Sequence, residues 1–334
     1  MCLGSIGTRA RGCLVANCPT GLSDFGLNGD VLLFSQSQWP RIPQTAFLVY
    51  RGLIAAYTLA WLIMSIVNAG QTTGLGGFFV FLTNWTYIVL SLYLVVAFLS
   101  TAYVSYVAKQ AAPEVDRNTA VTNAKPQPDV NVNLCESSPD AEAPSQPAPT
   151  RTLPFYFRLA WVLLMVALSY GPIITVIYWA FIFDPEFVRE RQGGGYGVAL
   201  TTHRHAFNSL FAYLDLALSA VPVRFWHFVY PCGYGLLYAA FSLVYFWAGG
   251  TNPYVDSPAI YPTLLDWTMP GRTCLVLVVF ALFVIIFHSV SLGWYKLRML
   301  LARRLDVPTV GDQYSRAVNH PTHAEGDRNL TDVV

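Results

Sequence analysis

The chain is poor in charge. Asp, Glu, Lys and Arg make up 12% of its 334 residues, about half the share of about 25% usual in soluble domains. A soluble fold of this length must cover its surface with charged side chains, and these are too few. Much of the charge also falls in two tails and one internal stretch. The formal net charge is +1, and no Lys/Arg stripe with interleaved aromatics occurs, so the electrostatic footprint of a nucleic-acid binder is missing. Cysteine is sparse: Cys2, Cys13, Cys18, Cys135, Cys232 and Cys274 show neither C-x-x-C spacing nor the density of a disulfide scaffold. Residues 1–30 lack the apolar core of a signal peptide, so the first hydrophobic helix is expected to target the chain itself.

Apolar residues, in contrast, reach 54%, aromatics 15% and mean hydropathy +0.43. A helix needs roughly 20 mostly apolar residues to cross a bilayer. Six segments meet that need: Thr45–Asn68, Phe78–Val107, Phe155–Phe183, Thr202–Val221, Phe225–Ala248 and Thr273–Tyr295. The expected fold is therefore all-α, a polytopic transmembrane bundle of about six helices. The fourth segment is diluted by His205, Asn208 and Asp215, which leaves open a five-helix reading with that segment re-entrant or interfacial. Of the 20 Lys and Arg, fourteen fall on one side of the six spans and only Arg189, Arg191, Arg204 and Arg272 on the other, with Arg51 and Arg158 close to the richer face. By the positive-inside rule both termini are cytosolic.

The expected organisation is a cytosolic segment 1–44, helices one and two over 45–107, a disordered cytosolic linker 108–154, helices three to six over 155–295 and a disordered tail 296–334. The linker is proline-rich and acidic with almost no apolar periodicity, so it cannot bury enough surface to fold alone. Gly171-Pro172 should kink the third helix. Cys2, Cys13 and Cys18 are on the side where palmitoylation occurs, with unmodified thiols the default.

Ionisable groups inside a span are costly and need a partner. Asp215 lies at a depth similar to Arg51, Arg158 and His288, so these four are expected to form a buried polar cluster. An ion pair that fixes packing is the plainer reading, and a proton relay or ion site the sharper one. At the opposite end, Thr83 lies five residues into helix two, about 7.5 Å deep, and His205 three residues into helix four. Both are placed to reach one shallow site, where a His can serve as general base for a Thr hydroxyl. Helix-capping and packing are the plainer roles for both. Asn208 shares a polar helix face with His205 and Asp215 and is a candidate oxyanion donor.

No metal and no cofactor is expected. His203-Arg204-His205 has no third ligand nearby, and Gly193-Gly194-Gly195 lacks the Lys and Ser/Thr of a phosphate loop. A haem held by His227 and His288 is the weaker alternative to an interfacial and a satisfied buried histidine. Asn84-Trp85-Thr86 matches a glycosylation sequon but lies within a span.

The run from His205 to Leu216, H-A-F-N-S-L-F-A-Y-L-D-L, resembles the rolling stone proteins. Pro222–Pro231, Tyr245–Thr251 and Ile260–Gly271 are similar to the same family, as is the Ser-Gln-Ser-Gln-Trp-Pro entry ending at Pro40. The resemblance covers roughly residues 35–107 and 155–300 and is most specific over 205–271. It implies a multi-pass membrane protein in the plasma membrane or endoplasmic reticulum, and its founding member is linked to myoblast fusion. A more distant resemblance is to the androgen-induced intramembrane threonine hydrolases, which cleave fatty acid esters of hydroxy fatty acids. Phe81-Leu82-Thr83 is similar to their F-L-T run, and His205 with Asp215 to their His and acid ten residues apart. The hydrolases read N-H-x-x-H-T around the histidine, where this chain has T-H-R-H-A-F-N-S. The resemblance implies Thr83 as nucleophile and His205 as base on a lipid ester. The alternative it leaves open is a non-catalytic protein of cell–cell contact or fusion. The expected partners are membrane lipids and a lateral membrane protein.

Overall fold

The computed structural model describes residues 25–123, 153–191, 194–255, 257–262 and 264–307. Its elements are α1 (Val31–Ser35), α2 (Gln44–Thr72), α3 (Gly74–Val80), α4 (Leu82–Asn123), α5 (Phe155–Ile177), α6 (Pro185–Arg191), α7 (Gly194–Thr202), α8 (Asn208–Leu218), α9 (Val229–Trp247) and α10 (Pro270–Arg304). A π-helical turn, Tyr178–Ile182, extends α5, and a second, His203–Phe207, joins α7 to α8 without a break. Isolated bridges such as Ser37 to Ser219 are the only β pairing among the described residues.

Five helical stretches are long and apolar enough to cross a membrane: Gln44–Thr72, Leu82–Gln110, Phe155–Ile182, Phe225–Trp247 and Pro270–Arg304. The chain is a multi-pass membrane protein of all-α class. The fourth expected segment is helical but stands outside these five, because the π turn divides it and His203, Arg204, His205, Asn208 and Asp215 dilute its apolar character. It nevertheless runs between the two ends of the bundle. At one end Arg204 bonds Asn84 of α4. At the other the Leu218 carbonyl accepts from the Gln38 amide at 2.9 Å. The first and last described segments share that second end: Arg224 donates to the Gly26 and Asn28 carbonyls, and Arg298 to that of Val221 at 2.9 Å.

Helix α5 is the central post, with Trp161, Leu164, Met165, Ala167 and Leu168 fully buried. Pro172 lies in its interior. A proline there removes the amide that would bond the carbonyl four residues back, and inside a membrane that carbonyl needs another donor. The Leu168 carbonyl is met by the Ser291 and Tyr213 hydroxyls, each at 3.4 Å. Gly171 lets α5 approach α8 closely, since a Cβ there would lie 3.3 Å from the Ser209 Cα.

The Asp215 carboxylate is fully buried and holds Arg51 through Nε at 3.2 Å and Nη2 at 3.0 Å. The Tyr93 hydroxyl also donates to it, and Arg51 Nη1 goes on to the Phe34 carbonyl and Thr101 hydroxyl. Two of the expected members are not in this cluster. Arg158 is exposed, one residue and hence about 100° around the helix from the inward Phe157. His288 is buried but bonds the Arg224 carbonyl through Nε2 at 2.9 Å.

Two expected boundaries also move. Helix α4 continues past the expected boundary at Val107 to Asn123, and Ala108, Lys109, Gln110, Ala111 and Ala112, good helix formers, account for its first added turn. Residues 124–152 of the expected linker, residues 308–334 of the expected tail, and Cys2, Cys13, Cys18 and Cys135 lie outside the described residues. Helix α10 continues past Tyr295 to Arg304 with Arg298 buried. That cation is stable there because it donates to the carbonyls of Leu216, Ser219 and Val221, where α8 ends and its dipole is negative.

Removing one partner of a buried ion pair strands the other charge, at a cost of about 3–5 kcal/mol. Asp215→Ala or Arg51→Ala should each lower the melting temperature sharply in detergent. The double variant Arg51→Met/Asp215→Leu should lose far less than the two single losses added together.

Candidate functional site

At the end of the bundle away from Asp215 lies a cavity of about 490 Å³, within the range of small-molecule sites. Its walls come from α4, α5, the two π turns, α9, α10 and the loop between them. Most of its lining is aliphatic or aromatic. Leu236 of α9 lines it while remaining 73% exposed on the outer surface of the bundle. The cavity therefore reaches a face that borders lipid in a membrane.

Thr83 and His205 both line this cavity. Thr83 is the second residue of α4, which begins after a break at Phe81, where the backbone is extended. The first amides of a helix lack intrahelical acceptors and its dipole favours negative charge there. The Tyr261 hydroxyl accepts from the Leu82 amide at 3.1 Å, next to Thr83. Tyr261 comes from the loop between α9 and α10, so this loop closes the cavity over the start of α4.

His205 sits in the π turn His203–Phe207, and the ring of Tyr178, from the other π turn, stacks on it at 3.4 Å between centroids. Single π turns misalign backbone groups and recur at functional sites. Here the His205 carbonyl is taken by the Thr175 hydroxyl, which the Ser209 hydroxyl meets at 2.6 Å. His205 Nδ1 lies 2.8 Å from the Thr201 carbonyl. A carbonyl only accepts, so Nδ1 carries the proton and Nε2 of the neutral ring holds a lone pair. Among the described residues Nε2 has no hydrogen-bond partner.

His203 differs. Its Nδ1 meets the Ala199 carbonyl at 2.8 Å, its Nε2 meets the Tyr57 hydroxyl at 2.6 Å, and its ring lies between Trp61 and Phe207. Both nitrogens are occupied, which makes it a packing residue. The two histidines, two positions apart in sequence, thus have separate roles.

Asn208 is not part of the cavity lining. It is fully buried as the first residue of α8, and neither atom of its amide has a partner among the described residues. Among the donors that do line the cavity are Tyr261 and Arg204. Arg204 is 9% exposed, and its Nη1 donates to Asn84 Oδ1 at 3.2 Å. That bond joins the residue after Thr83 to the residue before His205, so the two candidate groups are tied together from either side. Asn84 also donates to the Phe78 carbonyl at 2.7 Å and is buried, which explains its place in a span despite the sequon. No group of three or more His, Cys, Asp or Glu able to hold a metal occurs among the described residues.

Thr83 and His205, the two positions the sequence singles out, line this cavity together with Arg204, Tyr178 and Tyr261, which it does not single out as site residues. Arg204 stands out in the sequence as one of few basic residues on its side. Tyr261 lies in the Ile260–Gly271 stretch that is similar to the rolling stone proteins.

Comparison with known proteins agrees with this architecture. The family model described as Protein rolling stone matches residues 142–313. The Protein rolling stone of Drosophila melanogaster is 25% identical over 278 residues, 83% of this chain and 87% of that protein. No solved structure matches.

Cys232 lines the cavity and is half-buried, whereas Cys274 is exposed and outside it. A long-chain lipid should therefore protect Cys232, and not Cys274, from a membrane-permeant maleimide. Peptide mass spectrometry with and without the lipid checks this, and equal protection of both would place the lipid elsewhere.

Proposed function

The chain belongs to the rolling stone family, and from that premise we propose that it is an intramembrane lipid-ester hydrolase with Thr83 as nucleophile and His205 as general base. The observation that supports this most is the shared cavity: a hydroxyl at a helix N-terminus and a histidine whose Nε2 has no partner among the described residues line the same apolar space. Fatty acid esters of hydroxy fatty acids are the substrate class that the resemblance of Phe81-Leu82-Thr83 and His205 suggests.

In this reading an acyl chain enters from the lipid face near Leu236 and is desolvated by the aliphatic walls. Thr83 Oγ1 attacks the ester carbonyl while His205 Nε2 takes its proton. Nδ1, held by the Thr201 carbonyl, keeps the ring in the required tautomer. The carbonyl oxygen becomes an oxyanion, with the Thr83 amide and the Tyr261 hydroxyl as neutral donors at the start of α4. The tetrahedral intermediate collapses, the C–O bond to the alcohol breaks, and His205 returns the proton to the leaving oxygen. Water then attacks the acyl-threonine with the same histidine as base, releasing a carboxylic acid and restoring Thr83.

The positive-inside bias favours the Asp215 end as cytosolic and the cavity as opening beneath the opposite interface. The plasma membrane and the endoplasmic reticulum are the membranes this orientation fits.

Purified protein should react with a long-chain fluorophosphonate and hydrolyse long-chain lipid esters. Thr83→Ala should abolish labelling and Thr83→Ser should retain it. His205→Ala should slow turnover by about 10²–10⁴-fold, the usual contribution of a positioned base. Undiminished labelling of a folded Thr83→Ala protein would remove Thr83 as nucleophile.

A further inference from the structure

The cavity contains one cation and no anion. Arg204 is the only Lys or Arg in its described lining, and neither Asp nor Glu is present there. The guanidinium is buried, with Nε donating to the Leu200 carbonyl at 3.3 Å and Nη1 to Asn84 at 3.2 Å. No carboxylate pairs with it among the described residues. Arg51 is handled differently, with Asp215 against it, and Arg298 has three carbonyls at a helix end. Of the five N–H groups of Arg204, the two on Nη2 and one on Nη1 have no partner among the described residues, which leaves a planar edge of donors.

A buried guanidinium without counter-charge is costly in an apolar setting. A ligand that brings the missing anion removes that cost. We infer that the cavity is a receptor for single-chain lipids bearing a free carboxylate, with the carboxylate seated on the open edge of Arg204 and the chain along the aliphatic walls. Arg matches a carboxylate with two parallel N–H···O bonds. The charge count selects carboxylate over phosphate: a phosphate monoester carries about −1.5 to −2 near neutral pH, and one guanidinium leaves part of that uncompensated. The receptor stands whether or not Thr83 is a nucleophile. If it is, the fatty acid ester of a hydroxy fatty acid, whose hydroxy acid keeps its carboxylate, and the acids released from it all carry the group that Arg204 holds, and the acids are competitive inhibitors.

The test measures binding of oleate, methyl oleate and oleyl phosphate to the full chain in nanodiscs of uncharged phosphatidylcholine, using Thr83→Ala protein so that no ester is consumed. Oleate should bind at least about tenfold more tightly than methyl oleate, the contribution expected of a hydrogen bond to a charged group, and more tightly than oleyl phosphate. Arg204→Gln should bring oleate down to the level of the ester and leave the ester unchanged. Equal affinity for acid and ester overturns the inference, as does a preference that survives Arg204→Gln or tighter binding of oleyl phosphate. Should Arg204→Gln fail to fold, the three ligands on Arg204-containing protein decide the matter without it. Hydrolysis by the wild type with no acid preference would overturn the carboxylate seat alone. An acid preference with no hydrolysis would overturn only the enzymatic reading.

Discussion

The buried pair of Arg51 and Asp215 is the constraint on which the rest of this bundle depends. Neither charge can face lipid, and in the interior each is stable only against the other. The pair fixes the rotation of α8 relative to α2, while the Tyr93 and Thr101 hydroxyls fix α4 to both. One helical run carries Asp215 at one end and His205 at the other. Setting the rotation of α8 at its carboxylate therefore helps set which side chains of the preceding π turn reach the cavity.

The cavity depends on irregular backbone at three places. Helix α4 starts at Leu82 after Phe81, which is extended, and that break places Thr83 in the first turn, where the Leu82 amide donates to the Tyr261 hydroxyl and the Asn84 amide to the Phe81 carbonyl. The two π turns bring Tyr178 and His205 into ring contact. In a membrane such irregularity requires substitute hydrogen bonds, and these are present: Thr175 with Ser209 at the His205 carbonyl, and Tyr213 with Ser291 near Pro172.

Much of this was legible in the sequence. Apolar runs of membrane length located five of the six expected segments as membrane-length helices, the last of them extending further than expected, because the bilayer imposes one length scale. Asp215 required a partner, and among the basic candidates Arg51 is the one the fold supplies. Other features carried no readable signal. A π turn has no compositional signature, so the separate fates of His203 and His205 could not be seen. Tyr93 looks like any aromatic core residue until its hydroxyl is placed on Asp215. Arg298 read as part of a basic tail, since nothing in its neighbourhood foretold that the end of α8 would supply three carbonyls. Arg204 was visible only as a basic residue on the sparser side.

The central claim is that Thr83 and His205 act on one lipid ester within a shared cavity, and the acyl-enzyme is its most direct witness. Wild-type protein mixed with a long-chain lipid ester, quenched in acid within the first turnover and digested, should yield a single acylated peptide with the acyl group on Thr83. The same adduct should be missing from His205→Ala protein that remains folded. An acyl group on any other residue, or turnover of the ester without an adduct on Thr83, would contradict the account.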